Sequence, residues 1–172
     1  MAVTLRRTLR LAKALPVTAG EAPSPDTALG DWYVNRLVVD RRPLLLLISS
    51  QTLFPILLPA QDVSTLPQRL PEVVAQRLRR AGIAQSLIAA EIAAMSPVHV
   101  AKTGNRAVVG ILVDFAFAVP LHLPVRAWDA TTLPFIEAAL AETPCFSSRP
   151  MTETVFPDRD TTRALIARWG AV

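Results

Sequence analysis

The feature that most constrains the fold is an unbroken apolar run, Leu44–Ile48, which lies between two polar breaks. Arg41, Arg42 and Pro43 precede the run, and residues 49–52 follow it. The run is too short for a buried helix, and it lacks the alternation of a strand with one solvated face. It is therefore typical of a strand that is covered on both faces.

Two neighbouring runs predict that this strand belongs to an antiparallel meander. Residues 31–40 are rich in aromatic and β-branched side chains, which favour a strand. Residues 53–58 return the chain after a turn. Pro55 places this last strand at an edge or a bulge, because proline has no amide hydrogen to donate to a neighbour.

Apolar residues at helical spacing predict most of the remaining elements. Short strands are expected over residues 2–7 and 98–102. Helices are expected over residues 9–15 (capped by Thr8), 70–81 (ended by Gly82), 83–95, 133–141 and a last segment that ends at Trp169. Residues 105–119 fit both a helical face and a strand face, and their length favours a buried helix.

These elements predict a single α+β domain in which a small, mainly antiparallel sheet is packed on one side by helices. The length of 172 residues suits one domain, and the hydrophobic fraction of 51% is enough for a core. We expect residues 1–122 to form the α+β core. We expect residues 123–172 to form a helical extension packed on the same domain.

The composition excludes several classes of protein. Cys145 is the only cysteine, so no internal disulfide can form and a reducing compartment is favoured. With His99 and His122 it gives too few ligands for a His/Cys zinc site. Arg10 and Lys13 interrupt the apolar core that a secretory signal needs. We therefore predict a cytoplasmic protein with no metal, no cofactor and no membrane contact.

The polar segment at residues 102–106 is the first candidate site. Lys102, Thr103, Asn105 and Arg106 lie between a predicted strand and a predicted helix, where free amides suit an anion. The alternative is that Thr103 or Asn105 caps the helix and the charges are solvated. Arg41 and Arg42 form a second candidate, which either faces the same ligand or forms a solvated turn.

Asp114 is the only charged residue inside a strongly apolar segment. A buried carboxylate needs a partner, so a salt bridge to Arg42 or Arg106 is one interpretation and a general acid or base is another. Arg77, Arg79 and Arg80 are interpreted as a solvated helix face, with a nucleic-acid contact as the alternative. No familiar catalytic motif is present, so an enzyme is not favoured.

Several short motifs occur in a recognisable order. They are Trp32-Tyr33-x-Asn35-x-Leu37, Asp40-Arg41-Arg42, Thr52-Leu53-Phe54 and Lys102-Thr103-x-Asn105-Arg106-x-Val108-x-Gly110, with Asp114 after them. Over residues 1–122 this order resembles a bacterial family named domain of unknown function 6933. The sequence departs from the family at Ala107 and Val113. The resemblance implies a small intracellular bacterial protein and no established activity.

Four functions remain open, and the net charge of +4 with a pI of about 10.2 is compatible with the first two. The leading hypothesis is a binding protein whose basic polar patch (Arg41, Arg42, Lys102, Thr103, Asn105, Arg106) holds an anionic group. The alternatives are a nucleic-acid-associated protein, a small enzyme using Asp114 with Arg106, and a protein-interaction subunit. The last would contact a partner or a second copy through residues 143–157.

Overall fold

A computed structural model describes residues 2–123, 127–146 and 154–170. Within these residues the strands are β1 (Val3–Arg7), β2 (Trp32–Val39), β3 (Arg42–Ser49), β4 (Pro55–Pro59), β5 (Val98–Lys102), β6 (Cys145–Phe146) and β7 (Thr154–Val155). The α-helices are α1 (Leu66–Arg80), α2 (Gln85–Ala93), α3 (Arg106–Ala118), α4 (Leu133–Ala141) and α5 (Pro157–Trp169).

Five strands form one mixed sheet in the order β4-β3-β2-β1-β5, and β6 pairs with β7 in a separate hairpin. The meander β2-β3-β4 is antiparallel, as the sequence predicts. Strand β1 pairs in parallel with β2 on one side and with β5 on the other. The α+β class is therefore confirmed, with two parallel pairs beside two antiparallel ones.

The sheet is covered on both faces, so the prediction of helices on one side only is wrong. Alternate residues of β3 divide between two cores: Leu45 and Leu47 belong to one, and Leu44, Leu46 and Ile48 to the other. Helices α1, α2 and α5 pack on the first face, and α3 and α4 on the second. All five residues of the run are fully buried, as its lack of polar positions indicates.

Residues 105–119 are helical, but α3 is not a central buried helix. Val108, Leu112 and Phe115 form its buried stripe, whereas Val113 and Phe117 are 41% and 75% exposed. The helix lies on one face of the sheet and has only one neighbouring layer, so its outer side stays open. Apolar residues on every face of the helix predicted that it would be buried on all sides. Because α3 lies at the surface of the sheet, only one of its faces is buried.

Both edges of the sheet are interrupted for further strand pairing within the described residues. On β4, Pro55 and Pro59 occupy outward positions and have no amide hydrogen, while the outward amide of Leu57 donates to Glu137 at 2.9 Å. On β5, Val100 exchanges hydrogen bonds of 2.9 Å with the backbone and hydroxyl of Thr18. These contacts leave no free row of donors on which another strand could add.

Residues 9–15 do not form the expected helix. Only a single 3-10 turn forms, at Leu9–Leu11, and Thr8 makes no cap hydrogen bond. Its hydroxyl instead donates to Asn35 Oδ1 at 2.7 Å, which ties the end of β1 to β2. The hydroxyl is thus engaged by a partner distant in sequence and does not cap the turn.

The C-terminal part of the chain packs on the same body. Helix α4 contacts β4, and α5 contacts α2. The boundary at residue 122 stays a prediction. Of the segment 143–157, for which a partner contact is predicted, residues 147–153 lie outside the described residues. None of the described helices has the length and apolar character needed to cross a membrane.

Candidate functional site

The turn between β5 and α3 brings four of the candidate residues together at the carboxyl-terminal end of a parallel strand. Asn105 begins α3, and its Oδ1 accepts hydrogen bonds from the amides of Ala107 (2.9 Å) and Val108 (3.4 Å). The amide of Asn105 donates to the hydroxyl of Tyr33 at 2.9 Å. The cap occupies amides that an anion would otherwise use. The side chains of Lys102, Thr103 and Arg106 are the remaining polar groups that the turn offers to an anion.

Arg6 supports this turn from the neighbouring strand, and it was not identified from the sequence. Its Nε donates to Asp31 Oδ2 at 3.0 Å, and its Nη1 donates to the carbonyl of Lys102 at 3.1 Å. The other oxygen of Asp31 accepts from the amide of Thr4 at 3.0 Å. The charge of Arg6 is balanced by Asp31, so Arg6 acts on the turn by fixing its backbone.

Lys102 and Arg106 are solvent-exposed. Neither makes an ion pair with a carboxylate in the described ranges. Thr103 is half-buried between them. The turn therefore presents two unneutralised cations and a hydroxyl on a backbone that Arg6 and Tyr33 hold in place.

Arg41 and Arg42 lie at a different position, the hairpin between β2 and β3. Arg41 is the second residue of the two-residue turn, and Arg42 is the first residue of β3. Asp40 and Arg41 have φ of 54° and 60°, as both residues of such a tight hairpin require. The guanidinium of Arg42 stacks on the Trp128 ring at 4.0 Å. Hydrogen bonds from Thr131 lower the pKa of the nearby Asp129 carboxyl, and the charge of Arg42 lowers it further.

The six candidate residues therefore occupy two separate places on one end of the sheet. Lys102 is level with Arg7, which is level with Val34 of β2. Arg41 lies seven residues beyond Val34 along the chain, or roughly 20 Å at the rise of a β-strand. A small anion can contact only one of the two places.

Comparison with known protein families gives one match for most of the chain. The model of one family matches residues 4–160. This chain belongs to the family named domain of unknown function 6933 (DUF6933). The match runs past the motifs at residues 1–122 that indicated it, and it includes α4 and the start of α5. Neither a curated protein nor a solved structure matches this DUF6933 chain.

Asp114 of this DUF6933 domain is exposed on α3 and makes no ion pair with Arg42 or Arg106 among the described residues. Arg106 lies two helical turns away, or about 12 Å along the axis. The two side chains therefore do not converge on one reacting group. Asp114 instead lines a cavity of about 210 Å³ that also contains Cys145.

Cys145 is buried, and its thiol donates to the carbonyl of Thr143. Burial and, to a smaller extent, the charge of Asp114 together raise the pKa of this thiol to about 11. The thiol is therefore protonated at neutral pH, which fits a packed apolar residue and not a nucleophile.

Alkylation of Cys145 by iodoacetamide at pH 8 is expected to be at least about 100-fold slower than that of a free cysteine. The reason is that a pKa of about 11, against 9.0 for a free thiol, leaves about a hundredth of the thiolate. The rate should rise about tenfold per pH unit up to about pH 11, and the urea-unfolded chain serves as the fast control. A rate like that of the unfolded chain at pH 8 would contradict the prediction.

The basic stretch of α1 is only partly the solvated face that the sequence indicated, since Arg79 and Arg80 are exposed and Arg77 is not. Arg79 is exposed and pairs with Glu72, but Arg77 is only 5% exposed. Arg77 and Arg80 both face the buried Glu137, at 3.6 Å and 3.0 Å. Position 77 falls on the apolar stripe of α1, and that spacing was the signal that could have revealed its burial.

The described residues contain no group of three His, Cys, Asp or Glu side chains suited to a metal ion. The network of Arg77, Arg80 and Glu137 forms hydrogen bonds to the backbone of β4, so these side chains hold the fold together. In this DUF6933 domain the turn at 102–106 and the cavity beside Asp114 are two places, among the described residues, where a charged side chain without an ion-pair partner is available to a ligand.

Proposed function

We propose that this DUF6933 domain is a binding protein that holds an anionic group on Lys102, Thr103 and Arg106. The observation that carries the proposal is the pair of exposed cations, without carboxylate partners among the described residues, on a turn fixed by Arg6 and Tyr33. The turn follows the carboxyl end of a parallel strand, the end at which ligands bind in open sheets with parallel strands.

The side chains suit a phosphate or carboxylate better than a larger apolar ligand. The guanidinium of Arg106 can donate two parallel hydrogen bonds to such a group, and Lys102 adds a point charge. Thr103 supplies a hydroxyl donor. Because Asn105 already caps α3, the protein offers these side chains without having to free its helix amides.

A thermal-shift and calorimetry series with inorganic phosphate, nucleoside monophosphates and dicarboxylates tests this proposal. A ligand at 100 times its dissociation constant should stabilise the fold by about 2.7 kcal/mol. Such a gain raises the melting temperature by roughly 5–10 °C for a domain of this size. Lys102→Ala and Arg106→Ala should each remove most of the shift, whereas Arg41→Ala at the other basic place should leave it unchanged.

Two results would overturn this function. One is the absence of any shift across the series in the folded wild-type protein. The other is a shift that persists in both variants of the turn, because the anion would then bind elsewhere. The unliganded melting temperature of each variant shows whether its fold is intact.

A second candidate, binding to a nucleic acid, is favoured by the spread of cations along one end of the sheet. Arg10 and Arg36 lie with Arg41 and Arg42 at this end, and all four are exposed. The side chain of Arg10 donates a hydrogen bond to the backbone carbonyl of Arg36, so Arg10 lies beside β2. An extended polyanion, unlike a small anion, can contact both this group and Lys102.

Salt dependence separates the two candidates. If a short RNA or DNA binds across the end of the sheet, its affinity should fall steeply with salt because counterions are released. Arg36→Ala and Arg41→Ala should each reduce the slope of log K against log salt by about one. Affinity that is independent of salt, or unchanged in these variants, would exclude the nucleic-acid function while leaving the small-anion test unaffected.

A further inference from the structure

A half-open cavity of about 210 Å³ lies between α3, the end of α4 and β6, far along the helix from the basic turn. Its lining is mostly apolar or weakly polar. The residues are Ile111, Asp114, Phe115, Ala118, Leu140, Thr143, Pro144, Cys145 and Phe146. Ligand pockets in proteins commonly have this character, with an apolar body and a single well-placed polar group.

Asp114 is the only charged side chain among the described residues of this lining. The carboxylate makes no hydrogen bond and no ion pair with any described residue, and no Lys or Arg lines the cavity. A single charge beside low-dielectric walls acts more strongly on a ligand than the same charge in open water. Its influence reaches the interior of the cavity, where it contributes to the raised pKa of the Cys145 thiol.

We propose that this cavity binds a small organic cation, an amine carried on an aromatic or branched aliphatic body. Asp114 would bind the ammonium group, while Phe115 and Leu140 would contact the apolar body. Phe146 is 61% exposed and lines the same cavity, so its ring is available for a cation–π contact. The protonated thiol of Cys145 adds no competing charge.

The chemistry of the lining separates an amine from other occupants. An anion would meet Asp114 with no cation to balance it, and a neutral apolar molecule would leave the carboxylate unused. The site is also distinct from the turn at 102–106 in charge and in position. It therefore goes beyond the anion-binding function and does not depend on it.

Benzylamine and isoamylamine are the probes, with benzyl alcohol and benzoate as matched neutral and anionic molecules. Binding is followed by calorimetry and by the protection of Cys145 from alkylation, since a molecule in the cavity covers the thiol. The amines are expected to bind and to protect Cys145 at concentrations at which the alcohol does neither. Benzoate, even where it binds the turn at 102–106, should not protect the thiol. The preference for amine over alcohol should be about tenfold or more, the usual effect of a hydrogen bond to a charged group.

Asp114→Asn keeps the shape of the side chain and removes its charge. We expect this variant to lose about tenfold or more in amine affinity, so that amine and alcohol become equivalent. Asp129→Asn removes an exposed carboxylate elsewhere and should change nothing. Ala118→Leu fills the cavity without deleting a contact, and it should abolish amine binding while Lys102→Ala leaves amine binding intact.

Three results would each overturn the proposal. The first is that neither amine binds the folded protein at millimolar concentration. The second is that amine and alcohol bind equally to the wild-type chain. The third is that Asp114→Asn retains full amine affinity. Because these readouts use no anion, they are independent of the test of the basic turn.

Discussion

Replacing Glu137 by alanine is expected to lower the free energy of unfolding by about 3–5 kcal/mol, the usual effect of breaking a buried ion pair. Glu137 is 1% exposed and accepts from the amide of Leu57 at 2.9 Å. Both of its oxygens accept from Nη2 of Arg80, at 3.0 and 3.1 Å. Without the carboxylate, the Leu57 amide on the outer side of β4 has no acceptor.

Arg77 makes the loss larger. Its Nε donates to the carbonyl of Pro55 at 2.9 Å, and its guanidinium stacks on Phe54 at 4.2 Å. Burial lowers the pKa of Arg77, and the negative charge of Glu137 opposes that effect by raising it. Removal of Glu137 leaves a desolvated cation without its nearest carboxylate, which is the costly result of removing one partner of a buried pair.

Urea unfolding followed by circular dichroism measures this effect, and the chain provides a matched control. The pair Glu72–Arg79 on α1 has a similar distance, 3.3 Å, but its side chains are 63% and 48% exposed. Glu72→Ala should therefore change the stability by less than about 1 kcal/mol. Similar losses in the two variants would contradict the burial argument. Glu137→Gln keeps an acceptor for the Leu57 amide, so its free energy of unfolding should lie between those of Glu137→Ala and the wild type.

Glu91→Ala should lower stability by about 3 kcal/mol, because it leaves several buried donors unsatisfied. Glu91 is fully buried on α2 and accepts from the amides of Ala28 and Leu29 at 2.9 and 3.0 Å. The indole of Trp169 donates to the same carboxylate at 2.6 Å. This one side chain thus joins α2 to the segment before β2 and to α5.

Differential scanning calorimetry should show the loss as a melting temperature about 6–12 °C lower. Trp169→Phe removes only one of the three donors and should cost about 1 kcal/mol. Glu91→Gln turns an NH₂ group toward one of the protein donors, so it should destabilise more than Trp169→Phe. If Glu91→Ala and Trp169→Phe lowered the melting temperature equally, the hydrogen bonds from the amides of Ala28 and Leu29 would contribute nothing to stability.

Local sequence patterns determined most of the elements of this fold. The run Leu44–Ile48 has no polar position, and both faces of β3 are in fact covered. Pro55 cannot donate a hydrogen bond, and β4 lies at the edge of the sheet. Gly82 follows α1 with a φ of 78°, the conformation that ends a helix most readily in glycine. Each of these conclusions depends on residues close together in the chain.

The apolar stripes also carried information about charge. Arg77, Glu91 and Glu137 each lie three or four residues from buried apolar residues of the same helix. Helical spacing alone therefore indicates that these charges face the core. It does not reveal their partners, because Glu91 and Glu137 bind amides 62 and 80 residues away along the chain.

The tertiary structure alone decided which candidate residues meet. The insertion of β1 between β2 and β5 places Arg6 behind Lys102, an arrangement that no local pattern contains. The length of the β2–β3 hairpin separates Arg41 and Arg42 from the turn at 102–106. Asp114 is exposed beside a cavity because α3 has the sheet on one side only. Hydrophobic periodicity is a local property, whereas strand order and long-range pairing depend on the whole chain.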